Sequence, residues 1–189
     1  MGDRIRIRPL KSRLGVGAIC LAVATLIGVT GAATPATASA QAGNIYNQAS
    51  FPNAKCIGIN NTGVAGDWNC TSNPDQTWYW GPAFPNTGFR VLANGNGKCL
   101  DTAGGSVTLG TKIVAATCLG VARPDQYWGI VNGDGFCARG EFRLVNWKGV
   151  ATGTVDAVGV AGGSMANGAQ LVLWTEVNHE DQCWQSSIF

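Results

Sequence analysis

Asp125-Gln126-Tyr127-Trp128 is one of three closely similar tetrapeptides in this 189-residue chain, and their spacing decides the fold. The other two are Asp75-Gln76-Thr77-Trp78 and Asp181-Gln182-Cys183-Trp184, so the final tryptophans lie 50 and 56 residues apart. A pattern that returns at such an interval is typical of a repeat architecture, in which each unit buries its apolar face against its neighbours. Between the tetrapeptides, short β-branched or aromatic runs separated by glycine and asparagine predict many short strands.

Another motif recurs between the tetrapeptides at a similar interval. The run Phe89-Arg90-Val91-Leu92 recurs as Phe142-Arg143-Leu144-Val145, and both read as strands. The three units then cover about residues 44–85, 86–135 and 136–189. Units of this size cannot each bury a core alone, so we predict one shared core built around the three tryptophans.

The N-terminal segment has the layout of a secretory signal peptide. Five basic residues within the first 13 precede an uncharged apolar run, and the triplet Ala38-Ser39-Ala40 suits a signal peptidase. We therefore expect residues 1–40 to be removed, a secreted and extracellular protein, and one domain over residues 41–189. An uncleaved membrane anchor is the alternative to cleavage.

The predicted mature chain is mildly acidic. Eight basic and ten acidic residues remain after residue 40, a formal net charge of −2. Because no basic cluster is present, this composition argues against a nucleic-acid partner. We also expect no membrane association after cleavage, and a monomer.

Six cysteines remain in the mature chain, and an even number in an exported protein indicates disulfides. None of them forms a CxxC pattern, and His179 is the single histidine. Zinc sites usually draw on several cysteine and histidine ligands at short spacing, so we expect no metal and no other cofactor.

The three QxW tetrapeptides, together with Lys98-Cys99-Leu100-Asp101, resemble the ricin-type lectin and carbohydrate-binding module family over essentially residues 44–189. The resemblance implies an all-β chain folded as a single β-trefoil built from three repeats. It also implies a disulfide within each of the first two units, and we predict that the two remaining cysteines join the start and end of the third. The expected pairs are Cys56–Cys70, Cys99–Cys118 and Cys137–Cys183.

The resemblance also implies one shallow sugar pocket per unit. Its elements are an aspartate at the position of Asp101, an aromatic ring that stacks on the sugar, and an amide within QxW. Stacking suits a pyranose, which has C–H groups on its face and hydroxyls around its rim. The second unit has Asp101 and Gln126, but Ala116 stands where the family has its aromatic ring.

The first unit has Trp68 and Gln76, but Gly58 replaces the aspartate. The third unit has Trp174 and Gln182, and its aspartate depends on the alignment. Asp156 fits if the following loop is three residues longer than in the second unit, whereas a gapless count reaches Gly159. We favour Asp156, because Val155-Asp156 resembles the Leu-Asp of the second unit.

Asp181 precedes the third glutamine, where the family commonly carries asparagine, and a carboxylate still accepts hydrogen bonds from hydroxyls.

Several of the other candidate residues also suit a purely structural role. The rings of Trp68 and Trp174 equally suit packing under loops, and Asp101 equally suits a turn cap. The glutamines and tryptophans of the QxW motifs fit a core role, with the ring buried and the amide bound to backbone groups.

The sequence therefore favours a secreted carbohydrate-binding protein with weak or partly degenerate sugar sites, for galactoside or xylan-type glycans. The alternative is a trefoil that has lost sugar binding and acts as an interaction or inhibitor protein. We do not expect an enzyme, because no Ser-His-Asp or paired-carboxylate arrangement is visible at a defined spacing.

Overall fold

The structure is a computed structural model that describes residues 41–50, 52–132 and 135–188. The signal peptide predicted for residues 1–40 lies outside the described residues. The regular structure of these residues consists of short strands, one short α-helix α1 (Trp147–Ala151) and several single-turn 3₁₀ helices. The strands are β1 (Ala42–Gly43), β2 (Ile45–Asn47), β3 (Lys55–Ile59), β4 (Ala65–Asn69), β5 (Trp78–Ala83), β6 (Arg90–Asn94), β7 (Lys98–Thr102), β8 (Ile113–Thr117), β9 (Tyr127–Val131), β10 (Arg143–Asn146), β11 (Asp156–Val160), β12 (Ala169–Thr175) and β13 (Trp184–Ser186).

After β1, each repeat contributes four strands to the fold. The outer strands of the repeats pair as β5 with β6, β6 with β9 and β9 with β10, and β13 pairs with β2, which joins the end of the domain to its beginning. The inner strands form three hairpins, β3–β4, β7–β8 and β11–β12, which contact one another through a β4–β12 pair and through isolated bridges. This barrel with three hairpins is a β-trefoil, so the predicted all-β class and fold are confirmed.

The three QxW tryptophans lie at the centre of the shared core. Trp78, Trp128 and Trp184 are fully buried and pack in one cluster with aliphatic side chains from all three repeats. Each indole Nε1 donates a 2.9 Å hydrogen bond to a carbonyl of its own repeat, that of Ile57, Leu100 or Val158 respectively. A buried indole N–H needs such a partner, so the prediction of a core role is confirmed.

The QxW glutamines bind backbone groups beside the third strand of each repeat. The amide of Gln126 accepts from Leu119 N at 2.9 Å and donates to Thr117 O at 2.9 Å. Gln76 and Gln182 make the same pair of contacts in their own repeats. Each amide therefore holds the loop that leads from the hairpin back to the barrel.

The three predicted disulfides are confirmed. Their Cα atoms lie 4.9, 5.1 and 5.5 Å apart, which is the usual range for a bridged pair. The first two close single hairpins, whereas the third links residues 46 positions apart in the third repeat. The pairs are Cys56–Cys70, Cys99–Cys118 and Cys137–Cys183.

One core position of the first repeat carries a carboxyl group. Asp67 pairs with the core residue Ile57 across β3 and β4, so its side chain faces the core, as Leu173 does in the third repeat. Both carboxyl oxygens are buried without a hydrogen-bond partner. Burial raises the pKa of Asp67 from 3.8 to about 7, although Lys55 opposes the shift.

Candidate functional site

The tryptophan hydrogen bonds identify equivalent positions in the three repeats. The bonded carbonyl belongs to Ile57, Leu100 or Val158, and the next residue is Gly58, Asp101 or Gly159. The residue at the aspartate position of the third repeat is therefore Gly159, and the preference for Asp156 is wrong. The register agrees, because Asp101 pairs with Val114 and Gly159 pairs with Val172 in the matching hairpin.

The extra residues of the third repeat lie before β11 and not after it. The connection from β10 to β11 contains helix α1, whereas β6 and β7 are joined by a short turn. Asp156 consequently begins β11, opposite Thr175. It is buried away from the cavity described next, and burial raises its pKa while a hydrogen bond with Thr154 opposes the shift.

A cavity of about 430 Å³ lies over the third repeat, and we call it the indole cavity. Trp174 forms one wall, and its side chain is 48% exposed. Val160, Val172 and Val177 add apolar walls, while Asp181 lies at the cavity surface. An exposed indole beside a carboxylate supplies the two elements that a pyranose needs, a flat apolar surface and an acceptor for hydroxyls.

A loop of the second repeat completes the indole cavity. Gly110 lines the cavity, and its backbone N donates to Leu173 O at 2.8 Å. Leu173 N in turn donates to Thr111 O at 2.8 Å. A Cβ at Gly110 would lie 3.8 Å from the Trp174 ring, so the loop packs directly against the indole. The candidate site therefore depends on contact between two repeats.

Asp181 is held at the base of the indole cavity. Its Oδ2 accepts from Val160 N at 3.1 Å, and its Oδ1 contacts Nδ1 of His179. The absence of a side chain at Gly159 makes room for it, because a Cβ there would lie 2.9 Å from Asp181 Oδ2 and 3.0 Å from Gln182 Cγ. Asp181 and Gln182 thus lie where a larger residue at position 159 would collide with them.

The second repeat places an arginine over the equivalent carboxylates. Arg123 Nη2 lies 3.0 Å from both oxygens of Asp101 and 2.6 Å from Asp125 Oδ2. Gln126 Nε2 donates to Asp101 Oδ2 at 2.9 Å. Burial raises the pKa of Asp101, whereas Arg123 lowers the pKa of Asp125 against the effect of burial. A ligand at Asp101 would have to displace the guanidinium.

The first repeat places its own indole over the equivalent surface. Trp68 is partly buried, and its ring lies against three glycines. A Cβ would lie 2.9 Å from the ring at Gly58, 2.8 Å at Gly66 and 2.6 Å at Gly168. Glycine is therefore the residue that fits beneath the ring at these three positions. Trp68 packs against its own chain, and Gln76 lies beside it.

The structure thus brings together Trp174, Asp181 and Gln182, and it separates Asp156 from them. It also adds two basic residues that sequence reasoning missed as site residues, His179 and Arg123. Both lie three residues before the QxW glutamine and contact the aspartate that precedes it. That shared spacing is visible in the sequence and was the signal available for finding them.

One group of possible metal ligands occurs within the described residues. The group Cys137, Glu141 and Cys183 places ligand atoms within 4.8 Å of one another, but the two sulfurs are joined in a disulfide. None of the helices in the described part of the chain has the length and apolar character needed to cross a membrane.

Comparison with known folds places the chain among β-trefoil proteins. It aligns with the designed three-fold symmetric protein ThreeFoil at 18% identity and a TM-score of 0.64, over 77% of this chain and 96% of that one. It aligns with the Macrolepiota procera ricin B-like lectin in complex with lactose at 18% identity and a TM-score of 0.61, over 78% and 95% of the two chains. At these identities the likeness concerns the fold alone.

Residues 27–116 match the family model described as ricin-type beta-trefoil lectin domain-like. This match covers just under half of the chain, and together with the trefoil fold of the described residues it supports the resemblance to the ricin-type β-trefoil lectin family. A comparison with curated proteins found no match.

Some structural neighbours are much longer than this chain. The exo-β-1,3-galactanase from Clostridium thermocellum aligns at 18% identity and a TM-score of 0.64, over 79% of this chain. This chain spans 30% of that galactanase and 17% of a mosquitocidal holotoxin.

Proposed function

We propose that this protein is a secreted, non-catalytic carbohydrate-binding protein whose sugar site is the indole cavity of the third repeat. The single observation that carries the proposal is the half-exposed Trp174 ring beside the Asp181 carboxylate at the cavity surface. The first and second repeats contribute little to binding, because Trp68 and Arg123 cover the equivalent surfaces. One shallow site of this kind gives an affinity near millimolar, or roughly −4 kcal/mol.

The first ligands to test are neutral galactosides, followed by xylan fragments. Lactose is the sugar named with the Macrolepiota procera lectin, and galactan is the substrate class named for the Clostridium thermocellum enzyme. A neutral ligand suits the indole cavity, since its lining includes Asp181 and no lysine or arginine. The carboxylate then accepts hydrogen bonds from sugar hydroxyls.

A glycan array with the secreted protein tests the proposal. We expect binding to a set of neutral glycans, loss of that binding in Trp174→Ala, and an unchanged circular dichroism spectrum in the variant. Asp181→Asn should weaken binding, whereas Asp156→Asn is the matched control and should not, because Asp156 does not line the cavity. If the wild-type protein binds none of the glycans on the array, sugar binding is contradicted.

A second candidate function is a protein-interaction trefoil without sugar binding. The covered surfaces of the first and second repeats favour it, because Trp68 and Arg123 contact their own chain where the family binds sugar. A silent array together with a cooperative folded state would support this second function.

A further inference from the structure

A second cavity adjoins the indole cavity, and we call it the adjoining cavity. Its volume is about 330 Å³. Gly163, His179 and Asp181 line both cavities, so these three residues form the boundary between them. Ala49, from the first repeat, also lines the adjoining cavity.

His179 and Gly163 are two of the residues at the boundary between the two cavities. The His179 side chain is 66% exposed, and its Nδ1 is turned towards Asp181. Gly163 has a φ of +62°, in the left-handed region, and an added Cβ would lie 3.5 Å from His179 Cε1. Glycine adopts this conformation readily. It also places no side chain at the boundary between the two cavities.

The adjoining cavity offers the chemistry of a second sugar contact. Met165 is 42% exposed and presents an apolar thioether. Asn178 and Glu180 are exposed and supply an amide and a carboxylate around it. An apolar surface with polar groups at its rim matches the C–H face and hydroxyl rim of a pyranose.

We propose that the two cavities form one groove for a neutral oligosaccharide, with one sugar over Trp174 and the next beside Met165, Asn178 and Glu180. This inference rests on the proposed function. The groove disfavours an acidic residue at the second position, because Glu180 and Asp181 line the adjoining cavity and neither lysine nor arginine does. An acidic sugar there would meet two carboxylates without a lysine or arginine to offset them.

Calorimetry with matched sugars tests the groove. One pair of probes is methyl galactoside and lactose, and the other is xylose and xylobiose. The variants are then measured with the pair that the wild-type protein binds. We expect the disaccharide to bind about fivefold more tightly or better, the factor that one net hydrogen bond contributes. A disaccharide with a uronic acid at the second position should lose that gain, and Glu180→Gln should restore part of it.

Met165→Ala and Asn178→Ala should each reduce the gain from the second sugar and leave monosaccharide affinity unchanged. Val121→Ala is the control, because Val121 is 62% exposed and lines neither cavity. Equal affinity for monosaccharide and disaccharide, or disaccharide binding that both variants leave intact, would overturn the groove while leaving the site at Trp174 in place. If the wild-type protein binds none of these probes and no glycan on the array, the proposed function is overturned as well.

Discussion

Replacing the buried carboxyl of Asp67 should change how stability depends on pH. The folded-state pKa of Asp67 is about 7 against an ordinary value of 3.8, so the folded protein keeps a proton that the unfolded chain loses as pH rises. The stability associated with this group is fully present below about pH 3.8 and is lost as pH rises to about 7. Since one pKa unit corresponds to about 1.4 kcal/mol, the loss is at most about 4 kcal/mol.

Asp67→Asn isolates this effect, because the amide is neutral at every pH. We expect the free energy of unfolding of the wild-type protein, measured by urea denaturation with disulfides intact, to fall between pH 4 and pH 7 relative to the variant. Asp67→Leu should show the same pH dependence as Asp67→Asn, because leucine also lacks an ionisable group. Its free energy of unfolding should differ from that of Asp67→Asn by a constant amount, since leucine occupies the corresponding core position 173. Parallel pH profiles for wild type and both variants would refute a buried ionisable group at this position.

Three further changes test the core, the third disulfide and the base of the site. Trp128→Ala should lower the free energy of unfolding by about 3–5 kcal/mol, and Trp147→Ala by less; equal losses in chemical denaturation would contradict the assigned core. Removing the Cys137–Cys183 bridge should cost about 4 kcal/mol on the chain-entropy estimate, and a thiol reagent that labels either cysteine in the native protein would disprove the pair. Gly159→Ala should cost about 1–3 kcal/mol and weaken sugar binding, because its Cβ would approach within 2.9 Å of a carboxylate oxygen; an unchanged melting temperature and affinity would count against this packing.

The fold was predictable because its main determinants are local and repeated. Each QxW places a ring and an amide on the same face of a short segment, and the three copies carry the same buried contacts. The first two cysteine pairs followed from the family resemblance, and the third pair from the two cysteines that remained. A short motif that recurs once in each repeat remains recognisable when the loops differ in length, so the trefoil could be predicted from the sequence.

The site was less predictable, because its details depend on where insertions fall and on which side chains meet in space. The extra residues before Asp156 form helix α1, and the sequence alone did not say whether they precede or follow the strand. The positions of Trp68 and Arg123 depend on packing against distant residues, Gly168 and Asp101 respectively. A family motif therefore identified the candidate residues but not which of them remain accessible to a ligand.

The number of sugar sites per chain tests the central claim most directly. The measurement is calorimetric titration with the tightest neutral glycan from the array, on the wild-type protein, Trp174→Ala and the equivalent first-repeat variant Trp68→Ala, with folding checked by circular dichroism. We expect about one site per chain, because among the described residues Trp174 is half exposed at a cavity, whereas the equivalent Trp68 is partly buried against its own chain. That site should be lost in Trp174→Ala and kept in Trp68→Ala. Three equivalent sites, or a site that survives Trp174→Ala, would contradict the account.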